Sequence, residues 1–362
     1  MKKVGIVTFH RAHNYGAILQ VFALQTKLQE LNYDVKIINY VNEAIDRQYK
    51  LIRLNRGCIK DDLKYFRINR KRYKIFKNFI NTNLIQTKEY TLDELKKNPP
   101  EYYAYITGSD QVWNIALVKE LNDVYALNFG SNKTKRISYA ASIGNSTISK
   151  EEEEEYKRKL KNLDFISVRE KKAKEILQHI LNKDISVVLD PTLLIEKEKW
   201  DALAKEERII KEKYIFTYVV EENKEYRKII DELSKKTNLK IIIFEKVKNI
   251  KDSKVLSNEY CRDPFEFLNL IKYAEYVVTT SFHATVFSIL FNKKFFVVPH
   301  ELTGSRVTNL LSLLKIDYRI FRTLEEFNKF DIDKEDNYKE VNDILNDERR
   351  KSIDFLKNAI EE

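Results

Sequence analysis

The stretch Tyr276-Val-Val-Thr-Thr-Ser-Phe-His-Ala-Thr-Val-Phe-Ser-Ile-Leu-Phe291 decides the fold of this chain. A short β-branched run ends in a polar turn carrying His283, and the mostly apolar run Ala284–Phe291 follows and stops at Asn292-Lys293-Lys294. β-Branched residues favour strands, and an apolar run closed by polar residues is a buried element, so the order is strand, turn, buried helix. An imidazole then stands at a helix N-terminus beyond a strand end, where open parallel α/β sheets place their ligands. A titratable ring there is suited to proton chemistry on an anion.

The same alternation extends in both directions. Upstream, strands are expected at Val4–Phe9, Val35–Asn39, Tyr102–Thr107, Ile137–Ala141, Phe165–Val168 and Ile185–Leu189, with a helix over Ala17–Leu31 whose Ile18, Phe22, Leu28 and Leu31 share a face. After Asp190-Pro191 a charged helical stretch from Glu196 to Lys213 opens a second series, with strands at Tyr214–Val219, Leu239–Phe244, Tyr276–Thr280 and Lys294–Val298. Asp263-Pro264-Phe265-Glu266 announces a helix with its cap, a proline at the first helical position and a glutamate three residues after the cap. Strands alternating with helices give parallel sheets with crossover helices. The expected class is therefore α/β, in two successive doubly wound halves joined between Asp190 and Lys213.

With 362 residues and 43% hydrophobic composition the chain can bury a sizeable core, and its length favours two domains. Cys58 and Cys261 form no disulfide framework, and Met1-Lys2-Lys3 runs directly into a strand without a signal-peptide core, so a reducing, cytoplasmic setting is expected. The net charge is +10, yet between Arg47 and Lys77 twelve basic residues stand against only Asp61 and Asp62. One segment thus carries the whole excess. Its Phe66, Tyr73, Phe76 and Ile80 lie close to a helical stripe, with Arg67, Arg70, Lys71, Lys74 and Lys77 around the wheel. Two readings stay open: a core-packing helix with a solvated basic face, or a face for anionic lipid headgroups or a polyanionic substrate. No nucleic-acid motif accompanies the charge, so nucleic acid is not an expected partner. The acidic run Glu151–Glu155 reads as a solvated helix capped by Ser149 and Glu152.

Chemistry concentrates in turns beyond strand ends. His10-Arg11-Ala12-His13-Asn14-Tyr15-Gly16-Ala17 is either a ligand loop at a helix start or a plain turn, and it lacks a dinucleotide fingerprint. Gly108-Ser109-Asp110-Gln111-Val112-Trp113-Asn114 offers donors and acceptors suited to hydroxyls, although Asp110 could serve as a mere helix cap. Arg169 in Ser167-Val168-Arg169-Glu170 could fork onto a phosphate or carboxylate, or pair with Glu170 or another acid on the surface. The second half adds His283, His300 and Arg306. No set of His, Cys, Asp or Glu has metal-ligand spacing, so no metal is expected.

Taken together, Gly5-Ile-Val-Thr-Phe, Asn14-Tyr15-Gly16-Ala17, Gly108–Asn114, Ser138-Tyr139-Ala140-Ala141-Ser142-Ile143-Gly144, Ser167–Glu170, Leu189-Asp190-Pro191-Thr192 and Ser281-Phe282-His283-Ala284 resemble the polysaccharide pyruvyl transferase family, in the family's order and over most of the chain. The resemblance implies two Rossmann-like domains facing across a cleft, as in GT-B glycosyltransferases. Residues 1–200 would form the acceptor side and contribute Arg169; residues 201–362 would form the donor side and contribute His283, with a C-terminal helix. It also implies transfer of the enolpyruvyl-derived unit of phosphoenolpyruvate to a sugar as a pyruvate ketal, with no cofactor beyond that donor. Arg169 falls on the donor-binding arginine and His283 on the general acid. Many members have Arg-Leu-His where this chain has Ser281-Phe282-His283, so Ser281 lacks the family's cation, for which His300 or Arg306 are candidate substitutes. Asn14, Tyr15, Gly16, Ser109, Asp110 and Gln111 are candidates for the acceptor or the cleft. Imidazole has an ordinary pKa of about 6.5, and an adjacent donor anion favours its protonated form. The expected acceptor is a lipid-diphosphate-linked oligosaccharide, with residues 47–77 in peripheral contact with the anionic inner face of the membrane.

Two rivals have different signatures. A nucleotide-sugar glycosyltransferase of the same architecture needs an acid for the donor ribose, and Glu301 is the candidate near a strand end. A catalytically silent scaffold for envelope precursors would fit the Ser281 departure.

Overall fold

β-Branched and aromatic runs that are buried on both faces form the strands of two parallel sheets, with helices as the crossovers. The structure, a computed structural model, describes residues 1–51, 56–115, 120–145, 147–220, 224–245, 252–299 and 305–362. Two compact units result, one of Met1–Lys50, Asn78–Ile195 and Asn346–Glu362, the other of Leu51–Lys77 and Glu196–Leu345. The segments 51–77 and 346–362 therefore group apart from the halves 1–200 and 201–362 that a linear reading draws.

The first unit holds β1 (Lys3–Val7), β2 (Asp34–Tyr40), β3 (Gln86–Tyr90), β4 (Ala104–Thr107), β5 (Lys135–Ala141), β6 (Phe165–Val168) and β7 (Ile185–Val187), in the order β3-β2-β1-β4-β5-β6-β7. All neighbours are parallel, with Val4 opposite Val35 on one side and Ala104 on the other. The order reverses between β1 and β4, which is where such sheets open a ligand crevice beyond the strand ends. The helix Tyr15–Glu30 is buried almost all round, not along one stripe as the spacing of Ile18, Phe22 and Leu28 predicts; of these, Phe22 is the least covered. It packs against β2 and the turn Pro191–Leu193, which helps to cover it. β3 escapes the hydrophobic pattern because Gln86-Thr-Lys-Glu-Tyr90 is a polar edge. Gln25 pins its approach, donating to Asn83 O (3.0 Å) and accepting from Ile85 N (2.7 Å).

The second unit repeats the plan with β8 (Tyr214–Tyr218), β9 (Lys240–Ile243), β10 (Val255–Asn258), β11 (Tyr276–Thr279) and β12 (Lys294–Val297), in the order β10-β9-β8-β11-β12. The reversal falls between β8 and β11. β10 is a second short, half-buried edge strand without a sequence signal. The expected helix over Glu196–Lys213 is cut short: it spans Lys197–Leu203, and Lys205 adopts a left-handed φ of 63°. The caps read from sequence are present as full capping boxes at Ser149/Glu152 and Asp263/Glu266. With both Rossmann-like sheets in place, the fold class read from the chain is the observed one.

Two features tie distant segments into these units. In the first, the end of the helix Tyr338–Glu361 is stitched on by Arg349 Nε donating to Leu193 O (2.8 Å), Leu189 N to Ser352 Oγ (3.0 Å), Lys135 Nζ to Ile360 O (2.9 Å) and a Lys2–Glu361 pair. In the second, fully buried Arg319 donates through Nε to Asp336 Oδ1 (2.9 Å) and through Nη2 to Lys334 O (2.7 Å), while Tyr318 Oη donates to the same carboxylate (2.7 Å). The guanidinium lies 5.3–5.7 Å from the rings of Phe296, Tyr318 and Phe330, a setting without water to screen it. Removing one member of a buried pair leaves a bare charge. Arg319→Met is expected to cost about 3–5 kcal/mol and Arg319→Met/Asp336→Leu to recover most of it; thermal melting of both variants decides, and equal losses would count against the pair.

Candidate functional site

Beyond the ends of β4, β6 and β7 the first unit assembles a buried polar network. Asp190 follows β7 and caps the short turn Pro191–Leu193, its Oδ1 accepting from Thr192 N (3.0 Å) and Thr192 Oγ1 (2.6 Å). Its Oδ2 accepts from Arg169 Nη1 (2.8 Å) and lies 3.0 Å from Ser109 Oγ. Ser109 N in turn donates to Gln20 Oε1 (3.2 Å), and Gln20 Nε2 donates to Thr8 Oγ1 (3.0 Å), which links the ends of β1 and β4. Across β5 and β6, Ser138 and Ser167 exchange hydroxyl-to-carbonyl bonds (3.0 and 2.9 Å).

Arg169 is the charge at the centre. Its Nε faces Glu170 Oε1 at 3.3 Å and its Nη2 faces Asp110 Oδ1 at 4.0 Å, in addition to Asp190. Burial disfavours its charge, but Glu170, Asp190 and Asp110 outweigh that and hold it more firmly protonated than usual. The pairing with Glu170 was one of the two readings of this arginine, although the pair is buried and not on the surface. Asp110 is the least covered of the three acids, with its side chain 19% exposed, and it sits in a left-handed φ of 66° with its carbonyl accepting from Ser142 N (3.0 Å).

The remaining candidates in this unit divide sharply. Asn14 is the cap of Tyr15–Glu30, its Oδ1 accepting from Gly16 N (2.9 Å) and Ala17 N (3.2 Å). Tyr15 is 0% exposed, Gly16 is buried and Ser109 is 0% exposed, so these three shape the site from behind and present no surface to an acceptor. Gln111 accepts from Asn114 Nδ2 (2.6 Å), and the turn is closed by Gly144, where any Cβ would meet that amide at 2.1 Å. Arg11 is tied to Asp46 (3.0 Å) and Glu89 (2.9 Å) and buried His10 stands 3.1 Å from Asn39 Oδ1, so this loop is held against the helix Glu43–Gln48 and the strands β2 and β3.

In the second unit the turn after β11 is organised by hydroxyls. Thr279 Oγ1 donates to Tyr218 O (2.6 Å), tying β11 to β8 at the reversal, and accepts from Ser281 N (2.9 Å). Ser281 caps the helix Phe282–Leu290, accepting from Ala284 N (3.4 Å), and Thr285 Oγ1 donates to Ser281 O (2.9 Å). His283 stands in the first turn of this fully buried helix, 7% exposed, its ring edge-on to Phe282 at 5.2 Å between centroids. Trp200 packs on Phe287 behind it (5.1 Å). An imidazole there sees the positive end of the helix and little water, which favours anions nearby. Arg306 is half-buried in the first turn of Ser305–Leu313; His300 and Glu301 lie outside the described residues.

The sequence model of the family described as "Polysaccharide pyruvyl transferase" matches residues 14–301. No curated protein matches significantly. Among solved structures, a UDP-N-acetylglucosamine 2-epimerase from Rickettsia bellii is similar at 12% identity, with a TM-score of 0.57 over 100% of this chain and 97% of that one. A UDP-GlcNAc 2-epimerase from Methanocaldococcus jannaschii, in complex with UDP-GlcNAc and UDP, is 16% identical with a TM-score of 0.53 over 96% and 99%. The S. aureus MnaA–UDP co-structure is 14% identical with a TM-score of 0.53 over 94% and 90%. At such identities the likeness shows the fold, two Rossmann-like domains of the GT-B type.

The network around Asp190 has a measurable cost. Asp190→Ala leaves Arg169 and Ser109 buried without their shared acceptor and is expected to destabilise by about 3–5 kcal/mol, while Asp190→Asn, which keeps an acceptor oxygen, costs less. Thermal melting checks both, and an Asp190→Ala variant melting like the parent would show that the network carries no stability.

Proposed function

The chain belongs to the polysaccharide pyruvyl transferase family, and from that premise we propose that it moves the enolpyruvyl-derived unit of phosphoenolpyruvate onto a sugar of a cell-surface polysaccharide precursor, closing a pyruvate ketal across two hydroxyls. The observation that supports this most is His283, buried in the first turn of a helix that starts at the reversal of the second sheet.

In this reading the imidazolium of His283 gives its proton to the methylene carbon of the donor, leaving a positive centre at the carbon that bears the phosphate. One sugar hydroxyl adds there and loses its proton. The carbon–oxygen bond to phosphate then breaks with its electron pair going to phosphate, and the second hydroxyl closes the ring. Two hydroxyl protons are lost, one is gained by the methyl group and one by phosphate, so a trianion and a diol give a monoanionic ketal and hydrogen phosphate. The reaction balances with phosphoenolpyruvate as donor substrate and no resident cofactor. Positioned acid catalysis of this kind contributes about 10²–10⁴-fold. Ser281, where many members carry an arginine, caps its own helix, so cationic help for the donor would come from Arg306 or His300.

The basic segment fits a lipid-linked acceptor. Arg67, Arg70, Lys71, Lys74 and Lys77 are exposed along Phe66–Asn83 and pair with no acid among the described residues. On the covered side Arg72 lies 4.6 and 4.3 Å from the rings of Phe76 and Tyr260 and donates to Tyr260 O (2.8 Å). No described helix is long and apolar enough to cross a membrane. We assign the exposed face to anionic headgroups or the diphosphate of the acceptor, which puts the enzyme in the cytoplasm at the inner face of the membrane.

His283→Ala is expected to lower acceptor-dependent phosphate release by at least about 10²-fold while calorimetric affinity for phosphoenolpyruvate stays within about threefold. A fully active variant would overturn the acid, and mass spectrometry showing no pyruvyl unit added to lipid-linked oligosaccharides would overturn the reaction. Thermal shifts with UDP-sugars but not phosphoenolpyruvate would point to a glycosyltransferase instead. Neutralising Arg70, Lys71 and Lys74 together should weaken salt-sensitive binding to phosphatidylserine vesicles; unchanged binding would remove the membrane assignment.

A further inference from the structure

Three carboxylates meet one guanidinium beyond β4 and β6. Asp190, Glu170 and Asp110 approach Arg169 at 2.8, 3.3 and 4.0 Å. With every acid ionised the cluster is net negative, and neither Asp110 nor Glu170 pairs with a second cation among the described residues. Such a centre repels a trianion and attracts hydrogen-bond donors.

Two acceptor groups in it are unspent. The Asp110 carboxylate takes no hydrogen bond from any donor among the described residues, and it is the acid of the three that solvent reaches, with Ser109, Val112 and Trp113 around it all at 0% exposure. Glu170 is 4% exposed, and while its Oε1 faces Arg169 its Oε2 is buried with no partner. A buried carboxylate oxygen without a donor is a costly feature, and a hydroxyl reaching it would displace no existing bond. Both acids are fixed before any ligand arrives. Asp110 is held by its carbonyl on Ser142 N, and Glu170 by the arginine that Asp190 anchors from below.

We propose that this cluster is a station for two hydroxyls of a neutral sugar acceptor, Asp110 taking one and Glu170 the other, with Arg169 and Asp190 positioning both carboxylates. Only the number of hydroxyls rests on the pyruvyl-transfer reading, since a ketal joins two. An uncharged diol supplies two O–H donors and no charge to repel, which is what the cluster lacks. Arg169 then acts as an internal counter-ion on the acceptor side, not as a fork on the donor phosphate.

The test uses the full chain on an array of immobilised neutral and anionic oligosaccharides, with phosphoenolpyruvate affinity measured separately by calorimetry. Asp110→Asn and Glu170→Gln should each weaken binding to neutral glycans tenfold or more and leave phosphoenolpyruvate affinity within twofold. Should Glu170→Gln fail to fold in a melting assay, Asp110→Asn decides alone. Retained glycan binding by Asp110→Asn, a tenfold loss of phosphoenolpyruvate affinity in that variant, or a parent that binds no neutral glycan would each overturn the station. If glycan binding falls as expected and the parent takes no phosphoenolpyruvate, the station stands and the donor reading falls.

Discussion

The first unit depends on keeping one carboxylate charged where water cannot reach it. Asp190 has a side chain that is 0% exposed, and an isolated carboxylate in such a place would shed its charge or unfold its surroundings. It keeps the charge because Arg169 and Thr192 donate to it and Ser109 stands within bonding distance. Those partners come from the segments after β6, β7 and β4. A single ion thereby fixes three loops that no backbone ladder connects, and Gln20 extends the hold to the end of β1.

The second unit solves the same geometric problem with neutral groups. At the reversal between β8 and β11, Thr279, Ser281 and Thr285 spend their hydroxyls on backbone atoms, so the turn before His283 is fixed without any buried charge. The difference has an electrostatic consequence. A helix start free of acidic side chains keeps its positive end available to an anion, whereas a guanidinium ringed by three acids does not.

Much of this was legible in the chain. Apolar β-branched runs announced the central strands because those strands are buried on both faces, and Ser149, Asp263 and their glutamates announced caps because that chemistry is local. β3 and β10 were not legible, since an edge strand has one covered side at most and Gln86–Tyr90 alternates nothing. The strand-end turns were legible as turns, but burial within them could not be read: Tyr15 and Ser109 look like surface donors and are covered completely. The partnership of Asp190 with Arg169 joins residues that pattern rules treat separately. Its one local sign was an aspartate directly before Pro191, the signature of a capped turn.

The helix Tyr338–Glu361 also bears on how the polypeptide reaches this state. Its terminal part, from Asn346 onward, completes the unit that contains β1 through β7, and it does so by capping the exit of β7 through Ser352 and Arg349. During translation β1 to β7 leave the ribosome before Asn346–Glu362 is made, so Leu189 N and Leu193 O are left to water until that helix arrives. The unit that holds the first-made sheet is therefore covered by a segment made only after the strands of the second sheet.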